Sequence, residues 1–274
     1  MSSVFSRLES LPHEDGDLTP DNWCIKQPCM KIRIGCKEWV ISQPFSSFWV
    51  YLLGIFTIGV GLYFFSSQNG ETSRLWWGIS LLLWGVGALL AGTSYQAFGY
   101  EIKCAGKRFC SWTSWWEVVY LIFQQVSINA MLIAVAFSCT EGTLQMVLLG
   151  YAALSSLVYV SLVCVGGMVP IKNLITFESM LWASSPVFFF LCIFNAWRYY
   201  VSRESLDLVL SGAWIMLLGT WMAYWGYGRK GITKKLWRKG IWFSENDVLH
   251  LFLILWMVYI ATVVAERVVD YNLS

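Results

Sequence analysis

Charged residues are few, at 13% of the 274 positions, and histidine occurs only twice. A water-soluble domain of this size carries about 25% charged residues. Hydrophobic residues make up 57% of the chain, and its mean hydropathy is +0.56. The shortage of charge therefore excludes a protein whose surface mostly faces water. The net charge of +2 is also too small to indicate a nucleic-acid partner.

Long apolar runs replace the missing charge. A helix that crosses a bilayer needs roughly 20 mostly apolar residues, and it satisfies its own backbone polar groups in lipid. Seven segments of the sequence meet this requirement, which predicts an all-α integral membrane protein with seven transmembrane helices. The predicted spans are residues 48–66, 75–98, 115–138, 144–168, 174–197, 207–227 and 247–266.

The polar segment before the first span, residues 1–46, lacks a basic start followed by an apolar core. We therefore expect no cleavable signal peptide. Residues 30–42 alternate around Gly35, which predicts a short hairpin against the membrane face. The chain is thus divided into a short N-terminal segment and a seven-helix domain of residues 47–274.

The basic residues are distributed unevenly between the two predicted sides of the membrane. Fifteen Lys and Arg residues fall on the side of the N-terminus and four on the opposite side. Basic residues accumulate in cytoplasmic loops. The sequence therefore predicts a cytoplasmic N-terminus and a C-terminus that lies outside or in a lumen.

Two residue types suggest how the helices pack. Many of the 17 tryptophans, Trp77 among them, lie near predicted span ends, which is typical of the aromatic belts at membrane surfaces. Small residues allow membrane helices to approach closely. We expect such contacts at the glycines of the first two spans, Gly54, Gly59, Gly61, Gly85 and Gly87.

Five cysteines lie on the predicted cytoplasmic side. Their spacings match none of the usual metal-ligand pairs, such as C-x2-C, and disulfides are rare in a reducing compartment. We therefore interpret them as free thiols, with a zinc or iron–sulfur site as the alternative. They are Cys24, Cys29, Cys36, Cys104 and Cys110.

Ionisable and polar side chains occur inside the predicted spans. Such residues are costly in a bilayer, so each is a candidate functional residue. With the orientation above, a group of them from five different spans falls in the cytoplasmic half, and this group predicts a polar cavity that opens to the cytoplasm. The candidates are Glu117, Glu178, Asp247 and His250, with Ser94, Gln96 and Tyr224 as neutral ligand-binding partners.

A helix-capping role is the alternative for the acidic residues. Acidic groups favour the first turn of a helix, and Ser244 is a plausible N-cap with Asp247 at the third helical position. Glu117 and Glu178 also lie one turn inside their own spans. His250 lies deeper, and its alternative role is that of a packed, hydrogen-bonded side chain.

Three short patches resemble the seven-helix CREST superfamily, which includes alkaline ceramidases, the adiponectin- and progestin-receptor group and the haemolysin-III relatives. The stretch "GTSYQAFG" is similar to the S-x3-H motif that ends helix two of that family, Glu117 to an acidic residue of helix three, and "NDVLH" to the H-x3-H motif of helix seven. Three histidines of the family hold a zinc ion that activates water for amide hydrolysis.

This chain retains only one of those histidines, His250, and Asn246 replaces the other helix-seven ligand. A catalytic zinc usually has three protein ligands, so the single intramembrane histidine disfavours zinc. The resemblance implies a metal only through a mixed set of His250, Asp247 and Glu117. Glu178 would then transfer the proton.

The residues and the resemblance together leave three functions open. We expect the cavity to bind a membrane lipid headgroup or another small amphiphile. One alternative is a divergent metal-dependent hydrolase of lipid amide or ester bonds. The other is a structural subunit of a membrane complex, in which packed side chains would close the cavity.

Overall fold

The computed structural model describes residues 4–271, and within them seven helices are long and apolar enough to cross a membrane. Each predicted span is confirmed as a long apolar helix, with every end within five residues of its predicted position. In chain order the elements are α1 (Val4–Glu9), α2 (Trp23–Lys26), β1 (Cys29–Ile34), β2 (Lys37–Ser42), α3 (Pro44–Ser66), α4 (Thr72–Ala91), α5 (Gly99–Lys103), α6 (Trp115–Cys139), α7 (Gly142–Met168), α8 (Phe177–Ser202), α9 (Ser205–Arg229), α10 (Ile232–Trp237) and α11 (Glu245–Tyr259).

The seven long helices are α3, α4, α6, α7, α8, α9 and α11. Two of them continue as π-helical turns, α4 over Gly92–Ala97 and α11 over Ile260–Val264. A short 3-10 turn, Lys172–Leu174, precedes α8. Because π-helical turns occur frequently at functional sites, the turn that ends α4 is a candidate position for one.

The predicted hairpin is confirmed. Strands β1 and β2 pair antiparallel from Cys29 opposite Ser42 to Ile34 opposite Lys37. Gly35 turns the chain with a positive φ of 62°, a conformation that favours glycine. The hairpin is joined to α5, because the backbone N–H of Val40 donates to the Glu101 carboxylate.

Residues 4–43 pack against residues 98–114, the loop between α4 and α6, and together we call them the head. Besides the bond from Val40 to Glu101, three hydrogen bonds join the two pieces: Trp112 N–H donates to the Leu11 carbonyl, His13 N–H to the Cys110 carbonyl, and Ser111 Oγ to the Glu9 carbonyl. Since successive spans alternate in direction, α3, α6, α8 and α11 all begin at the same end of the bundle. We call it the head end, and the opposite end the tail end.

Helix α6 is the most enclosed, with 61% of its apolar window buried inside the bundle. It packs against α4, which in turn packs against α3 through glycines. A Cβ atom placed on Gly85 would lie 2.8 Å from the carbonyl oxygen of Gly54, so the two backbones touch there. Gly59 faces open space instead, and the expected close contact is wrong for that residue.

Tryptophan occupies the centre of the bundle as well as its rims. The indole rings of Trp77 and Trp214 stack nearly parallel with centroids 6.4 Å apart, and Trp84 contacts Trp256 at 5.2 Å. Trp77 is completely buried, so its predicted place in an aromatic belt is wrong. The ring fills space between α4 and α9 because large aromatic surfaces pack well inside a bundle.

Candidate functional site

Glu117 lies in the first turn of α6 and is buried. Its Oε1 atom accepts a hydrogen bond from Ser94 Oγ at 2.7 Å and pairs with Lys103 Nζ at 2.8 Å. Its Oε2 atom accepts a hydrogen bond from Thr113 Oγ1 at 2.8 Å. Ser114 Oγ lies 2.7 Å from Ser94 Oγ and is the donor, because the one hydroxyl proton of Ser94 is already used.

This arrangement is a buried ion pair. Lys103 is 5% exposed, and its ammonium group also lies 5.0 Å from the ring centre of Tyr95. Both oxygens of the Glu117 carboxylate are occupied, and its charge is balanced by Lys103. The structure thus uses Glu117 to hold the π-helical turn of α4, the loop after α5 and the start of α6 together.

Asp247 lies in the first turn of α11. Its Oδ2 atom accepts hydrogen bonds from the backbone N–H and the hydroxyl of Ser244. Ser244 in turn contacts Ser46 of α3, with 3.1 Å between the two hydroxyl oxygens. The capping alternative predicted from the sequence is therefore confirmed for Asp247, and the cap also joins α11 to α3. The Oδ1 atom is buried and has no partner among the described residues.

His250 lies deeper in α11 and is 7% exposed. Its Nδ1 atom is buried without a hydrogen-bond partner in the described part of the chain. No three His, Cys, Asp or Glu side chains within residues 4–271 form a group that could hold a metal ion. The mixed set of His250, Asp247 and Glu117 is therefore not assembled here.

Glu178 occupies a different place from the other three candidates. It lies in the first turn of α8, where the neighbouring Thr176 caps the helix by accepting from the Ser179 N–H at 3.0 Å. The Glu178 side chain is exposed, and it forms no ion pair with any described residue. It lines a groove of about 470 Å³ between α7 and α8. The lining of this groove does not include Glu117, Asp247 or His250.

The three neutral candidates are also separated. Ser94 belongs to the Glu117 network, and Gln96, in the same π-helical turn, is buried with an unpartnered Oε1 atom. Tyr224 of α9 is half-buried and lies close enough to Glu178 for an electrostatic interaction. The structure therefore places Glu117 and Ser94 in a buried ion-pair network, Asp247 in a helix cap and Glu178 in an open groove, and it does not gather the seven predicted residues around one cavity.

Analysis of the sequence missed a second buried charge network, at the tail end. Asp207 is completely buried in α9 and pairs with Arg198 of α8 at 2.9 Å. Asn195 donates to Asp207 at 2.7 Å and accepts from the Trp214 indole N–H at 2.9 Å. Asp207 and Arg198 flank the loop between two predicted spans. Opposite charges on either side of a short loop were the signal that could have identified the pair.

The cysteines of the head follow a pattern that the sequence analysis did not predict. Cys104 and Cys110 form a disulfide, so the expectation that they are free is wrong for these two. Cys24, Cys29 and Cys36 are free thiols. Burial, together with the adjacent Cys24 thiol, raises the pKa of Cys29 to about 12. Cys29 therefore stays protonated at neutral pH.

No family model, no curated protein and no solved structure matches this chain. The resemblance to the CREST superfamily therefore stays a prediction.

Proposed function

We propose that this protein binds a membrane amphiphile whose headgroup carries an amine, in the groove between the end of α7 and the start of α8. The volume of the groove, about 470 Å³, lies within the roughly 300–1,000 Å³ that is usual for small-molecule sites. The groove is at the head end, where α7 finishes at Met168 and α8 starts at Phe177. Lipid headgroups would occupy that level if these helices span a bilayer.

The walls of the groove suit a molecule with two chemically different ends. Leu162, Trp182 and Ala183 provide apolar surface along the helices. Polar groups line the groove at the start of α8, with Thr176 and Ser179 among them. An acyl or sphingoid chain could follow the apolar wall while the headgroup stayed beside these polar groups, as amphipathic groups do at membrane surfaces.

The observation that carries the proposal is the charge of the groove. Glu178 is the only charged residue that lines it, and the carboxylate has no cationic partner among the described residues. A carboxylate binds an ammonium group through charge-assisted hydrogen bonds. Trp182, which is 79% exposed, can add a cation–π contact.

A photoreactive long-chain primary amine, used as the probe, tests this proposal. The full-length protein in neutral detergent should be labelled at groove residues such as Leu162 and Trp182, as located by peptide mass spectrometry. Glu178→Gln should weaken probe binding roughly tenfold, because a charge-assisted hydrogen bond contributes about 1.5–3 kcal/mol. Glu204→Gln removes an exposed carboxylate at the start of α9 and should leave labelling unchanged.

The N-acetylated form of the same probe is the control for headgroup charge. It has the same chain and no cationic group, so it should bind the wild-type protein as weakly as the amine binds the Glu178→Gln variant. Equal binding of the two probes, or undiminished labelling of Glu178→Gln, would show that the groove does not select an amine.

The hydrolase alternative has less support. Glu117 is paired with Lys103 and Asp247 caps α11, so two of the three carboxylates predicted for metal binding or proton transfer already have structural partners. His250 does not form a group of three potential metal ligands with any other described residues. Membership in a larger complex stays a prediction.

We also propose that the head end faces the cytoplasm. The uneven distribution of Lys and Arg supports this orientation. Two of the four basic residues at the tail end bind groups within the protein: Arg198 pairs with Asp207, and Arg74 donates to the Ala265 carbonyl. The disulfide in the head is evidence against this orientation, because disulfides persist mainly in oxidising compartments.

A further inference from the structure

The segment between α9 and α11 has an unusual concentration of positive charge. Residues 229–239 contain six basic residues and no acidic one. All six side chains are exposed, and none forms an ion pair with another described residue. They are Arg229, Lys230, Lys234, Lys235, Arg238 and Lys239. We call residues 229–242 the basic loop, and it lies apart from the groove of Glu178.

The basic loop is held in place by specific contacts. Thr233 is buried, and its hydroxyl bonds to the Glu245 carboxylate and accepts from the Glu245 N–H at 3.1 Å. These bonds fix helix α10 against the first turn of α11. Glu245 is the nearest acidic residue in sequence, and it forms no ion pair with any of the six cations in the described part of the chain.

Aromatic and apolar side chains place the loop at the membrane surface. Ile241 and Trp242 are 50% and 46% exposed at its end, next to the start of α11. Trp225, one turn before the end of α9, is also exposed and lies under the guanidinium group of Arg229 at 4.5 Å. Tryptophans on the outside of a membrane helix settle at the headgroup level, so the cations lie beside the lipid phosphates.

We propose that the basic loop binds the phosphate groups of anionic lipids in the leaflet at the head end. Clusters of four to eight Lys and Arg residues immediately next to a membrane helix are typical of anionic-lipid sites. The six like charges repel one another, and they need counter-charges that the described residues do not provide. The anchoring of α10 presents them together to one leaflet, so little ordering is required when a lipid binds.

Native mass spectrometry of the full-length protein in neutral detergent tests this proposal with phosphatidylinositol bisphosphate as the probe. Phosphatidylcholine serves as the uncharged comparison lipid. The triple variant Lys234→Gln, Lys235→Gln and Arg238→Gln should bind the anionic lipid at least about tenfold more weakly. This is a conservative figure, since each basic residue near an anionic surface contributes a factor of about five.

The matched control removes the same charge from the head. Arg33, Lys37 and Arg108 are exposed and form no ion pair within the described residues, and their replacement by Gln should leave lipid binding nearly unchanged. The charge-preserving variant Lys234→Arg with Lys235→Arg should bind as the wild type does, which separates loss of charge from loss of folding.

Three results would overturn the proposal. The first is equal lipid binding by the loop variant and the wild type. The second is an equal loss in the head variant, since overall charge and not the loop would then determine binding. The third is binding of soluble inositol trisphosphate as tightly as the lipid, because the partner would then be a soluble phosphate compound.

Discussion

At the scale of single residues, the pair Lys103–Glu117 determines how the head meets the bundle. The Glu117 carboxylate accepts hydrogen bonds from Ser94, Lys103 and Thr113, and both charged groups of the pair are buried. A buried ion pair is poor evidence for net stability, but loss of one partner leaves a charge uncompensated in a low-dielectric site. The cost of removing one member should therefore exceed the cost of removing both.

The first prediction concerns this pair. Lys103→Met should destabilise the protein by about 3–5 kcal/mol, because the Glu117 carboxylate stays buried without its cation. The double variant Lys103→Met with Glu117→Leu should recover part of that loss. Thermal unfolding of the purified protein in detergent measures both changes.

An exposed pair in the head provides the comparison. Lys26 and Asp15 are 2.7 Å apart with their side chains 35% and 46% exposed. Surface ion pairs contribute little, so Lys26→Met should hardly shift the unfolding midpoint. A double variant no more stable than Lys103→Met alone would show that the ion pair is not the reason for the loss.

At the scale of elements, the contact between α3 and α4 depends on the absence of side chains at a few positions. Gly54 and Gly85 allow the two backbones to touch, and Gly61 and Gly78 repeat the contact closer to the tail end. Close approach through small residues is a common way for membrane helices to associate, since lipid provides no hydrophobic driving force between them. Added carbon atoms at these positions must separate the helices.

The second prediction tests this helix contact. A Cβ atom on Gly85 would lie 2.7 Å from Ile58 Cγ1 and 2.8 Å from a backbone oxygen, which cannot move aside as a flexible side chain can. Gly85→Ala should therefore destabilise the protein by about 1–3 kcal/mol, measured by thermal unfolding in detergent. Gly59→Ala, on the same helix as Gly54 but facing open space, should be neutral or slightly stabilising. Similar losses in both variants would contradict the packing explanation.

At the scale of the whole molecule, the two ends of the bundle differ in the number and exposure of their charged residues. The head end carries exposed basic residues in the head and the basic loop, together with the groove of Glu178. The tail end carries fewer basic residues and encloses part of its charge: Asp207 pairs with Arg198, and Asp270 accepts from the backbone N–H groups of Thr72 and Ser73. Exposed positive charge is what retains a segment on the cytoplasmic side.

The third prediction tests the proposed orientation. In intact cells or sealed vesicles of known sidedness, an impermeant maleimide should label Cys36 only after permeabilisation. A single-cysteine variant carrying Glu204→Cys at the tail end should be labelled without permeabilisation. Both positions are exposed, so access to the reagent depends on the side of the membrane. The reverse labelling pattern would place the head outside, in agreement with its disulfide.

Much of the architecture could be predicted from the sequence, because the relevant signals are local. An apolar run of about 20 residues is required to cross a bilayer, so seven runs predict seven spans. The alternation around Gly35 predicts the hairpin, and the position of Asp247 three residues after Ser244 predicts the cap.

The tertiary structure decided which polar groups meet. Whether Lys103 reaches Glu117, or Asp207 reaches Arg198, depends on how helices are rotated and how loops fold back, and spans that are apolar all round do not reveal their rotation. The burial of Trp77 was unpredictable for the same reason. The separation of Glu178 from the other acidic candidates likewise follows from packing, since a shared depth along the helices does not place side chains on a shared face.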